Sequence, residues 1–216
     1  MVKIITIEGN IGSGKSTLYH YLSDKLKDDI SKKFLPEPVL SWDLIRDESG
    51  KTVLQKFYED NEKYSFAFQM LACTTIFELL NNTIKENPNI TIISERGLHT
   101  TKLVLGKMLY DDGKMNYIEY QIYNKWYDIF AKDYKVDKII YVKTDPEICI
   151  KRIKKRSRDG ESNISKNYLN SCDFYHEKML SSNICDDILE IDGNIDIFEN
   201  KDQLDKWTRD IIKFIN

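Results

Sequence analysis

Arginine is scarce in this chain. Among 32 basic residues of a total of 216, only Arg46, Arg96, Arg152, Arg156, Arg158 and Arg209 are arginine. Arginine is the better planar clamp for phosphate and carboxylate, so a stretch holding three of them within seven residues stands out. Long apolar runs are missing too. None approaches the roughly 20 residues that span a bilayer, which excludes a membrane-embedded helix and any membrane partner. The cysteines, Cys73, Cys149, Cys172 and Cys185, are few and form no C-x-x-C pair. That excludes a zinc ribbon or disulfide framework and points to reduced thiols in a cytosol-like compartment. His20, His99 and His176 have no metal-ligand spacing. A net charge of −3 gives no footing for a general nucleic-acid-binding role. No repeat, low-complexity tract or linker interrupts the chain. An apolar run already begins at Val2, so the expectation is no signal or transit peptide and a cytoplasmic protein.

What is present is a phosphate-binding signature. Gly9-Asn10-Ile11-Gly12-Ser13-Gly14-Lys15-Ser16, followed by Thr17, fits G-x-x-x-x-G-K-[ST]. Val2 to Ile7 before it is β-branched and apolar, as in a buried parallel strand. Leu18, Leu22 and Leu26 after it repeat at a helical interval of four. Strand, glycine loop and helix bring backbone N–H groups and a helix N-terminus to bear on an anion. Lys15 is expected at the β- and γ-phosphates and the Ser16 hydroxyl at Mg²⁺. The chain should bind a nucleoside triphosphate such as ATP.

Further elements follow in alternation. Lys33 to Val39 reads as a short strand and turn, with Glu37 held between Pro36 and Pro38. A long helix is expected from Glu62 to Lys85, and a strand from Ile90 to Ile93 that runs into Ser94-Glu95-Arg96. Two helices over 98–110 and 117–132 come next, then a strand over 138–142. Asp145-Pro146 opens another helix. A helix over 166–180, a strand over 188–191 and a C-terminal helix complete the chain. This alternation predicts one domain, residues 1–216, with a doubly wound, mainly parallel α/β sheet of the P-loop type. Ligands in such sheets sit beyond the strands' carboxyl ends, where Glu8, Glu37 and Glu95 converge.

A P-loop alone leaves several reactions open. No N-K-x-D sequence supports a GTPase, and Asp47-Glu48-Ser49-Gly50 reads as a surface turn. Two carboxylates at strand ends suit phosphoryl transfer, one as base and one near Mg²⁺. Arg152 and Arg156 share a helix face, with Arg158 just beyond. A solvated basic face is the bland reading. A lid over about 152–163, closing on phosphates and excluding water, is the one preferred here.

In order along nearly the whole chain come IEGNIGSGKST, PEPV with Trp42, LQKFYE, SFAFQ, SERG and DPEICIKRIKKRSRDGE. With these landmarks the sequence resembles the deoxynucleoside kinase family. The resemblance implies Glu37 as the base for a nucleoside 5′-hydroxyl, Arg96 as its partner, and Glu95 as the acidic group at Mg²⁺. It further implies Tyr58 and Glu161 at the sugar 3′-hydroxyl and Gln69 reading the base edge. Trp42 and Phe68 become walls of the base pocket, and Arg152, Arg156 and Arg158 the lid arginines. A homodimer is implied as well. Family members that prefer deoxycytidine or purines carry a charged pair where this chain has Ile76 and Thr101. Ala72 leaves space nearby, so thymidine or deoxyuridine, or a broad range, is the expectation. Gly97, Lys102 and Leu105 also depart from the pattern. The rivals are a thymidylate-type monophosphate kinase, a non-catalytic nucleotide-binding module and a nucleic-acid end kinase.

Overall fold

A computed structural model describes residues 2–197 and 200–216. Strand β1 (Lys3–Glu8) leads through the glycine loop into helix α1 (Lys15–Lys25), and β2 (Lys32–Leu35) follows. Two short helices come next, α2 (Val39–Trp42) and α3 (Val53–Glu59), and then the long α4 (Asn61–Glu86). Helix α4 stops at Asn87, the residue before Pro88, as proline disfavours helical backbone ahead of it. Strand β3 (Thr91–Glu95) is followed by a continuous helical rod: α5 (Leu98–Thr100), a π-helical segment (Thr101–Gly106) and α6 (Lys107–Asp111). The order closes with α7 (Tyr117–Phe130), β4 (Lys138–Lys143), α8 (Pro146–Arg156), α9 (Lys166–Leu180), β5 (Asp187–Asp192) and α10 (Lys201–Ile215).

The sheet runs β2-β3-β1-β4-β5, and every pairing is parallel. Parallel neighbours need helical crossovers, which cover both faces. On one face α1 and α10 press Leu18, Leu22, Trp207 and Ile211 against Ile5, Ile7, Ile140 and Val142. On the other, α3, α4, α7 and the rod pack Phe57, Phe68, Leu80, Met108, Leu109 and Tyr123 into one core with Ile92. Because β1 lies between β3 and β4, the chain crosses over the central strand on its way to β4. Loops at the carboxyl edge therefore part there and leave a crevice.

Helix α2 lies just ahead of the Asp47 turn, where a helix is expected from the sequence, and α3 is an addition to that outline. Helix α3 is too short for periodicity to betray it, although Thr52 and Gln55 form a reciprocal capping box at its start. The rod over 98–111 is not the uniform helix expected. Its π-helical turn lies where Gly106 lets the Tyr123 ring press close, since a Cβ there would stand 2.4 Å from Tyr123 Cε1. Asp47 to Gly50 is a turn closed by Gly50 N–H donating to the Asp47 carbonyl. All four cysteines are free thiols. Among the described residues no helix is long and apolar enough to cross a membrane.

Candidate active site

The loop between β1 and α1 is shaped to receive an anion. Gly14 precedes α1 with a left-handed backbone (φ 103), and the helix start has neither a side-chain cap nor an acidic residue in its first turn. Its N–H donors and dipole end stay available to a ligand. At Gly12 (φ 79) a Cβ would sit 2.7 Å from the Cys149 carbonyl oxygen, so the loop lies tight against α8. Burial, with Arg96 adding to it, lowers the Lys15 pKa from the ordinary lysine value. Lys15 Nζ is 3.5 Å from the Asn10 carbonyl oxygen. A buried lysine beside an uncapped helix N-terminus is an arrangement that suits a phosphate group.

Carboxylates meet this cradle from two strand ends. Ser16 Oγ donates a short hydrogen bond to Glu95 Oε1 at the end of β3. One residue on, Arg96 turns into the left-handed region (φ 65) and is almost fully buried. Its Nε lies 2.9 Å from Glu37 Oε1. Burial works against the guanidinium charge, but Glu37 and then Glu8 outweigh it and raise the Arg96 pKa.

Beyond Glu37 opens a pocket that mixes apolar walls with a few polar groups, as small-molecule sites do. Trp42, Phe68, Gln69, Ala72, Ile76, Thr101 and Leu105 line it together with Tyr58, Tyr168, Glu161 and Arg158. Trp42 meets Phe68 edge-on, with centroids 5.2 Å apart, and Phe57 stacks on the far side of Phe68 at 4.8 Å. The Trp42 indole is pinned by donating to Thr75 Oγ1 at 2.9 Å. Gln69 is 1 % exposed, and its Oε1 has no hydrogen-bond partner among the described residues. A buried amide oxygen left open costs free energy unless something fills it. Thr101 spends its hydroxyl on the Leu98 carbonyl at 2.7 Å. Burial chiefly, and Glu161 next, push the Tyr58 phenol far above the ordinary tyrosine value, so it stays a donor.

Glu161 is no solvated loop residue. It is 3 % exposed and gripped by Arg156, with Nη2 2.7 Å from both carboxylate oxygens, and by Arg158 Nη1 at 3.3 Å. Arg152 points elsewhere. Its guanidinium donates to the carbonyls of Ser13 (3.0 Å) and Gly193 (2.8 Å), tying α8 to the glycine loop and to the turn after β5.

A second pocket of about 1120 Å³ runs from Gly12, Ser13, Gly14, Lys15, Ser16 and Thr17 past Arg152 and Lys155 to Gly193, Ile195, Ile197 and Trp207. Lys15, Ser16 and Arg156 border both pockets. A group held in one can therefore be handed to a group held in the other at that junction. Gly9 and Asn10 line neither. Asn10 sends its amide to the Leu169 carbonyl at 2.9 Å, and Ile11 faces the first pocket rather than the second. Tyr168, Phe57, Leu54 and the Gly193–Ile197 turn were not signalled by the sequence. They reach the site only through the packing of α3, α9 and β5.

A glycine-loop cradle, an adjoining pocket walled by aromatic side chains and a shared cationic junction define a P-loop enzyme that serves two small ligands. Residues 5–216 match the family model described as deoxynucleoside kinase, and the chain belongs to that family. It is 34% identical over 221 residues to a Fowlpox virus protein named "Probable deoxycytidine kinase", covering 99% of this chain and 88% of that one. With the deoxycytidine kinase of Rattus norvegicus it shares 33% over 199 residues, covering 83% and 75%. With the mitochondrial thymidine kinase 2 of Homo sapiens the identity is 31% over 179 residues, covering 82% and 64%. The protein is thus a deoxynucleoside kinase enzyme, a nucleotide-binding transferase acting on nucleoside and nucleotide substrates.

Proposed function

We propose that the protein transfers the γ-phosphoryl group of ATP to the 5′-hydroxyl of a deoxyribonucleoside in nucleotide salvage, with thymidine and deoxyuridine favoured among pyrimidines. Support for this preference comes chiefly from the Gln69 amide, open at Oε1 in a pocket whose neighbouring wall is Ala72, Ile76 and Thr101. An amide offers one donor and one acceptor to a base edge. The Ala72 and Ile76 walls beside it carry no charge that would pair with a polar base edge.

In this reading Glu37 accepts the proton of the 5′-hydroxyl and Arg96 holds that carboxylate in place and faces the transferred phosphate. Tyr58 and Glu161 bind the sugar 3′-hydroxyl. Lys15 and the amides of the glycine loop hold the donor phosphates, while Arg156 and Arg158 neutralise charge that spreads over the phosphoryl group in flight. Ser16 and Glu95 present hard oxygen donors at one point, which suits Mg²⁺, a cation bound through one or two protein oxygens plus substrate phosphates. Bound there, the ion would supply charge neutralisation between the β- and γ-phosphates. Residues 152–163 serve as the lid of a single-domain, cytoplasmic enzyme that works as a homodimer.

A steady-state ATP-coupled assay over thymidine, deoxyuridine, deoxycytidine, deoxyadenosine, deoxyguanosine and dTMP tests the proposal. Thymidine and deoxyuridine should give the highest kcat/KM, with dTMP inert. A clear preference for deoxycytidine or a purine would overturn the base assignment. Turnover of dTMP alone would overturn the roles given to Glu37, Tyr58 and Glu161.

A further inference from the structure

Behind Arg96, outside both pockets, a second buried carboxylate meets a buried imidazole. His99 Nε2 stands 3.1 Å from Glu8 Oε1, at ion-pair distance, and both side chains are shut off from solvent. Glu8 ends β1 and His99 sits in α5, so the contact bridges the central strand and the turn that carries Arg96. We propose that the Glu8–His99 pair positions Arg96: His99 folds back over Gly97 onto Glu8, and this closed link holds Arg96 in its left-handed backbone conformation with the guanidinium on Glu37.

Three observations carry the inference. First, Arg96 adopts a backbone conformation (φ 65) that a bulky residue keeps only when its surroundings over-determine it. Its N–H donates to the Ile7 carbonyl (3.1 Å) and its carbonyl accepts from Ser94 Oγ (2.9 Å). Those bonds fix the residue from its N-terminal side. On the other side His99 reaches back to β1 at Glu8, with the Thr100 side chain beside it on the same carboxylate. Second, the space for that tie exists because residue 97 is glycine. A Cβ at Gly97 would lie 2.4 Å from His99 Cε1 and 2.6 Å from Nδ1, so any larger residue must drive the ring off its seat. Third, Glu8 acts on Arg96 directly through its charge. Burial opposes ionisation of Glu8, but His99 first and Arg96 after it hold the carboxyl down at about 2. Arg96 thus lies between two carboxylates, Glu37 in front and Glu8 behind. A buried polar contact is a poor means of raising stability compared with apolar packing and serves instead to fix one geometry.

Neither Glu8 nor His99 borders a ligand pocket, so the pair acts through Arg96 and its loss should appear in turnover rather than in binding. Steady-state kinetics with ATP and the preferred nucleoside should be measured for H99F, H99Q, G97A and G97A/H99F, with thermal unfolding as a check on folding. H99F removes the link, H99Q restores a donor toward Glu8, and G97A keeps both side chains but displaces the ring. We expect kcat to fall about 10- to 100-fold in H99F and G97A, the scale of a small misplacement of catalytic groups. Both KM values should stay within about threefold. H99Q should recover most of the loss, and the double variant should be no worse than the poorer single one, since both break the same contact. If H99F does not fold, G97A alone carries the decision. Unchanged kcat in G97A overturns the proposal. So does a loss in which KM rises as kcat falls, or an H99Q no better than H99F.

Discussion

Glu37 shows how a single side chain comes to have a task. Prolines on both sides confine its backbone, and Arg96 fixes its carboxylate from 2.9 Å away. A general base contributes about 10²- to 10⁴-fold, so Glu37→Gln should lower kcat by that order while leaving the ATP KM little changed. Steady-state kinetics of the variant check this, and near-full turnover would remove Glu37 from the chemistry. Residues of this kind were legible in the sequence because their signals are local: a glycine loop with its lysine, a carboxylate between prolines, an amide among aromatics. Residues whose partners lie far along the chain were not. Glu8 meets His99 across 91 positions, and Tyr168 enters the first pocket from α9. Neither pairing leaves a trace in spacing.

At the scale of elements, long periodic helices could be read and irregular ones could not. The regular spacing of Phe66, Met70, Cys73, Phe77 and Leu80 announces α4. Nothing in the letters announces the π-helical turn over Thr101–Gly106, which arises from packing against α7. Helix α7 itself has an apolar stripe facing outward. Ile118, Ile122 and Ile129 are exposed and recur at the spacing of one helical face, and Tyr117 and Phe130 are exposed on either side of it. An exposed stripe of this kind marks an association surface, and a second copy of the chain is the occupant of the proposed homodimer. Sedimentation or light scattering should give twice the monomer mass, and I118E/I122E should give the monomer. A wild-type protein that is monomeric at micromolar concentration would refute this.

For the molecule as a whole, His176 predicts how stability changes with acidity. It is buried, with Nδ1 2.7 Å from the Cys172 carbonyl oxygen and its ring near Tyr141. Burial, followed by the charge of Arg96, pushes its pKa down from 6.5 to about 4. The unfolded chain therefore takes up the proton first as pH falls. The contribution of neutral His176 is complete above pH 6.5 and is lost progressively toward pH 4, amounting to about 3 kcal/mol across that window. Urea unfolding at intervals from pH 7 to 4.5 should show a shallower decline in H176Q than in the wild type. Parallel curves would mean that His176 does not titrate in this way.

The parallel sheet also governs when during synthesis the site can exist. Strand β1 is made first, yet it lies at the centre, paired to β3 about 90 residues later and to β4 about 130 residues later. Its apolar side chains, Ile5 and Ile7 on one face and Ile4 on the other, must wait uncovered while the ribosome produces its neighbours. At roughly 5–20 residues per second that wait is on the order of ten seconds. The nascent chain thus carries its glycine loop as an unshaped segment for most of its manufacture, and a transcript cut short before β4 yields a product with the whole signature and no cradle.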